Sequence, residues 1–205
     1  HYTKAKRLNW PIGIILFLLA NTSVYGMMLS GVLITWLFLN ELILKKEPWK
    51  LQLKNKLPIL ILVGSGIILA YLQIRPLPDN TFPIQRVILP FHSFRFHVAC
   101  SLFFSAFAPI VKMNQSFFWN TNFLMSANGL CLWFYPIFAF LVTTLPFVKR
   151  LPILLLWLGG VLLVLFFQYH TDMRYARYYG HFFIWWLVCQ WLLSLHNEPS
   201  KIFKK

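Results

Sequence analysis

Thirty-three consecutive residues, Leu8 to Asn40, carry no charge. A single helix of that length would reach about 50 Å at 1.5 Å per residue, well beyond the roughly 30 Å of a bilayer's hydrocarbon. The run must therefore break, and Asn21-Thr22-Ser23, followed by Gly26, supplies side chains that compete for backbone hydrogen bonds. The expectation is a helix from Trp10 to Ala20 and a second from Val24 to Leu44. Further uncharged runs, LPILILVGSGIILAYL and LPILLLWLGGVLLVLFF, are apolar throughout, which excludes the alternating pattern of a membrane barrel. With only 12% charged residues in 205, the chain has half the charge usual for a soluble domain. The fold class expected is all-α: a polytopic helical membrane protein forming one transmembrane domain over 1–205. It should have about five to six membrane-embedded helices, each near the length a bilayer requires, and one interfacial helix. Because the chain opens on His1 and its first apolar run lacks a signal-peptide cleavage site, it is expected to be part of a longer protein.

Nineteen Lys and Arg against five Asp and Glu would suit a nucleic-acid binder, but in a membrane protein basic residues hold loops in the cytoplasm and meet anionic headgroups. No nucleic-acid partner is expected; membrane lipid is. The densest basic cluster, KKEPWKLQLKNK at 45–56, is assigned to the cytoplasm, in a bacterial inner membrane. The apolar segment Phe96 to Val111 is the ambiguous one. Placed on the surface within an outer loop region spanning 75–123, it leaves 13 basic residues inside and 6 outside; placed across the membrane, it leaves 11 and 8. The orientation rule prefers the first, as does a stripe of His97, Ser101, Ser105, Ala108 and Lys112 on one helical face.

That topology gathers chemistry on the outer side. QYHTDMRYARYYGHFF, 168–183, lies between two apolar runs. Arginine suits bidentate contact with phosphate and keeps its charge in any surroundings, so Arg75, Arg174 and Arg177 are candidate phosphate or lipid contacts. His181 is four residues from Arg177, hence on the same face of a helix, and one turn inside an apolar span where polar residues are costly. Asp79 and Asp172 are the acids on this side and the candidate general bases. Cys100, Cys131 and Cys189 have no CxxC spacing, and HTD at 170–172 lacks a second ligand at i+4. No metal site or cofactor is evident; whether a divalent metal takes part is left open.

LANTSVYGMMLSG, YLQIRPLPD, FFWNTN and ARYYGHFFIWWLVCQWL resemble segments of multispanning bacterial membrane proteins, cyanobacterial ones among them. These are similar in turn to the GT-C glycosyltransferases. The resemblance implies transfer of sugars from polyprenyl-phosphate donors at the outer face. It also sets Arg177, Gly180 and His181 on an Arg-His-x-Gly-His pattern, with Tyr178 in place of its first His. GT-C enzymes keep their catalytic acid in a first outer loop near the N-terminus, and no segment here corresponds to it. The alternative expectation is a non-enzymatic membrane subunit or transporter element whose polar outer residues contact lipid and partner chains.

Overall fold

The computed structural model describes residues 2–45, 49–74, 92–110, 122, 129–171 and 179–197, and every regular element among them is helical. The elements are α1 (Tyr2–Ala20), α2 (Val24–Lys45), α3 (Trp49–Ile74), α4 (Ser93–Phe107), α5 (Gly129–Thr144) with a 3-10 turn at Leu145–Phe147, α6 (Leu151–Thr171) and α7 (Gly180–Asn197). They group into two units, His1–Phe82 and Pro83–Lys205. Two segments are long and apolar enough to cross a membrane: Lys56–Gln73, of mean hydropathy 1.7, and Leu151–His170, of mean hydropathy 2.3. Shorter apolar helices accompany them at Trp10–Ala20, Val24–Asn40, Arg95–Phe107, Trp133–Phe147 and Gly180–Leu195. Much of the apolar surface stays outward. Ile61, Leu155, Leu162 and Phe166 are all more than half exposed.

In the first unit the long uncharged run turns where its polar residues fall. The Thr22 hydroxyl donates to the Leu19 carbonyl (2.8 Å), and the Ser23 hydroxyl accepts from the Gly26 N–H (3.0 Å), capping the start of α2. A Cβ at Gly26 would run into the Leu19 carbonyl oxygen, so the tight reversal depends on glycine. α1 and α3 run in the same direction, Gly13 meeting Ile59 and Leu62, and Gly66 lying against the main chain of Phe17. Leu16, Ile34, Ile59 and Val63 form the core. Polar side chains reach main-chain oxygens across it, as buried polar groups generally do: Ser30 donates to Leu16 O (3.0 Å) and the buried Lys56 to Leu37 O (3.1 Å).

The second unit is built on aromatic packing. Trp157 and Phe147 are fully buried, and Trp157 meets Phe103, Phe107 and Phe147 at ring separations of 6.2, 6.4 and 5.7 Å. Each such pair adds about 0.5–1.5 kcal/mol beyond its buried area. Three indole N–H groups are paired: Trp157 with Thr144 Oγ1 (3.0 Å), Trp186 with Thr143 O (3.0 Å), Trp185 with Trp157 O (3.4 Å).

Directions follow from these contacts. The start of α4 meets the end of α6, where the His92 N–H donates to the Tyr169 hydroxyl (2.7 Å), and its end meets the other end of α6 through Phe107 and Trp157. α4 thus lies alongside α6, antiparallel to it. The stripe that suggested a surface position is partly internal, since Ser105 is buried. Its hydroxyl donates to Ser101 O and accepts from the Asn122 amide, which also donates to Ala108 O (2.7 Å). α5 runs parallel to α4, with Trp133 beside His97 and Phe140 beside Phe103. α7 does the same, with Phe182 on Phe103 and Trp186 on Phe107.

Candidate functional site

One consequence of those directions is that α4, α5 and α7 all begin at the end of the second unit where α6 finishes. This is the His92 end; the opposite one, at exposed Lys149 and Arg150, is the Lys149 end. Each helix start carries roughly half a positive charge in unpaired N–H groups, so three positive ends face one negative end there. The aromatic core sits toward the Lys149 end. Polar side chains gather at the His92 end: His92 just before α4, Arg95 and His97 on it, Gln168, Tyr169 and His170 on α6, Tyr179 just before α7 and His181 in its first turn.

Three of these side chains, Gln168, His97 and His170, have buried polar atoms with no hydrogen-bond partner among the described residues. Gln168 is 3% exposed, and neither its amide nitrogen nor its oxygen makes a hydrogen bond. The buried Nδ1 atoms of His97 and His170 are likewise unbonded; His97 packs its ring on Trp133 at 4.8 Å, and His170 lies between Phe166 (4.4 Å) and Tyr169 (5.0 Å). Buried polar atoms in folded proteins are nearly always paired with protein or water, so these atoms call for water or another polar partner. Burial also pushes the Tyr179 phenol up to about 12, because the phenolate loses hydration there. Among the described residues, no three His, Cys, Asp or Glu side chains group as metal ligands.

Of the site residues read from sequence, His181 is described. It is half-buried at the second position of α7. Arg75, Asp79, Asp172, Arg174 and Arg177 lie outside the described residues. Gln168 was not singled out by motif reading, though a signal existed. The buried positions of α6, Ile153, Leu156, Trp157, Val161 and Val164, step at helical spacing, and the next position on that stripe is 168. A glutamine on the inner stripe of an otherwise apolar helix is anomalous once the stripe is followed to its end. No family model, curated protein or solved structure matches the chain.

Proposed function

We propose that the chain is a polytopic bacterial membrane protein of GT-C-like type that handles a polyprenyl-phosphate-linked sugar at the His92 end of its second unit. The observation that carries the reading is the convergence of three helix starts on the end where unpaired buried polar atoms collect. Helix starts favour anions, and in sequence Arg174 and Arg177 fall in the eight residues joining α6 to α7. A phosphodiester there would meet the arginines while its lipid tail runs along the exposed apolar sides of α6 and α7, where Phe166 and Ile184 face outward.

The transferase chemistry comes from the resemblance. A carboxylate takes the proton of an acceptor hydroxyl, the oxygen attacks the anomeric carbon, and the polyprenyl phosphate leaves with its charge held by arginine. Asp79 and Asp172 are the acids proposed for the base. The test is binding of dodecyl phosphoglucose to the chain in lipid nanodiscs. A charge-assisted contact is worth about 1.5–3 kcal/mol, so Arg177→Ala should weaken binding roughly ten- to a hundred-fold, with Arg177→Lys recovering part of it. Unchanged binding by Arg177→Ala would leave the arginines as interfacial anchors. Sugar transfer that survives both Asp79→Asn and Asp172→Asn would remove these acids from the mechanism.

A further inference from the structure

Gln168 is buried without a hydrogen-bond partner among the described residues. Position 168 extends the inner stripe of α6, and a leucine there would simply continue Val161 and Val164. The amide instead presents two N–H donors and a carbonyl acceptor, all three without partners at 3% exposure. Burying such a group is unfavourable unless something supplies the missing bonds.

The chemistry of the amide restricts what it is. Phosphate oxygens at neutral pH mainly accept, so a phosphate would satisfy the amide nitrogen and leave the carbonyl unpaired. A hydroxyl group both donates and accepts, and two adjacent hydroxyls match the side-by-side donor and acceptor of a primary amide. Nδ1 of His170 and Nδ1 of His97 are also buried and unbonded, but His170 shares its helix face with the outward Phe166, so Gln168 alone stands on the inner stripe of α6. The Gln168 amide itself carries no charge, so it suits neutral hydroxyls rather than an anion.

Resting on the headgroup reading above, we propose that Gln168 is the specificity residue for the sugar: its amide pairs with ring hydroxyls of the lipid-linked sugar, while the phosphate is held elsewhere at the same end. The experiment compares two probes, dodecyl phosphoglucose and dodecyl phosphate, on the chain in nanodiscs of phosphatidylethanolamine and phosphatidylglycerol. Dissociation constants and ligand-free melting temperatures are measured for the parent, Gln168→Leu and Gln168→Met, the second being close in shape and lacking only the amide.

The parent should bind the sugar ester more tightly than the bare phosphate. Gln168→Met should erase that preference, a loss of about tenfold for one or two neutral hydrogen bonds. It should also leave dodecyl phosphate binding unchanged and melt no lower than the parent without ligand. Gln168→Leu should behave alike if it folds, and Gln168→Met alone decides if it does not. A preference for the sugar ester that survives Gln168→Met overturns the proposal, as does a parent with no preference. A bound water filling the amide's bonds in the sugar-ester complex overturns it too. If dodecyl phosphate binds the parent and Arg177→Ala alike, the headgroup reading fails first, whatever Gln168 does.

Discussion

At the scale of single residues, glycine separates contacts that matter from spacing that only looks as if it should. Gly64 and Gly66 sit two residues apart in α3, yet a Cβ at Gly64 would touch nothing within 4 Å, whereas one at Gly66 would press on Phe17. Gly160 is tighter still, because a Cβ there overlaps the indole of Trp185, whose N–H is tied to Trp157 O. Gly160→Ala should therefore destabilise by about 1–3 kcal/mol, the usual cost of overpacking, and thermal unfolding in detergent should show it. Gly64→Ala, measured alongside, should be neutral or slightly stabilising, since alanine is the better helix former. Tyr179 gives a second expectation. Its phenol titrates near 12 in the fold against 10 when exposed, so between those values the folded state holds the proton that the unfolded state has lost. Stability should fall as pH rises through 10 to 12, and less steeply in Tyr179→Phe; equal pH slopes in the two proteins would contradict the burial.

Among the helices, α4 shows how an amphipathic pattern is satisfied without water. Ser101, Ser105 and Ala108 look like a surface stripe, but one amide from Asn122 bonds both Ser105 Oγ and Ala108 O. That partner lies 14 residues from Ala108 and cannot be foreseen from helical spacing. Asn122→Ala should leave the last turn of α4 with unmet bonds, at about 1–3 kcal/mol. Hydrogen exchange at the amides of Phe104 to Ala108 should accelerate, with α6 unchanged. The break in the first apolar run was, by contrast, legible in advance. Asn21, Thr22 and Ser23 are local hydrogen-bonding residues, and their bonds to Phe17 O, Leu19 O and Gly26 N stay within one turn of the chain, the range over which sequence alone specifies geometry.

Across the second unit, the run of α6 from the Lys149 end to the His92 end gives a test of membrane placement. In a chain freed of its native cysteines, His92→Cys and Lys149→Cys should be labelled by an impermeant maleimide from opposite sides of the membrane. Labelling of both from one side would remove α6 as a span. Sequence by itself determined the all-helical class, the turn at Asn21–Ser23 and the length and apolarity of Lys56–Gln73 and Leu151–His170, because each depends on hydrophobic runs and on neighbours a few residues apart. It also marked 168–183 as polar, which composition alone reveals. Only the tertiary structure decided that α4 lies beside α6, that three helices start at one end, and that Gln168 is enclosed there without a partner among the described residues. Those facts depend on which helix packs on which and in what direction, and nearly uniform apolar faces in these helices leave that choice to the fit of particular aromatic rings around Trp157.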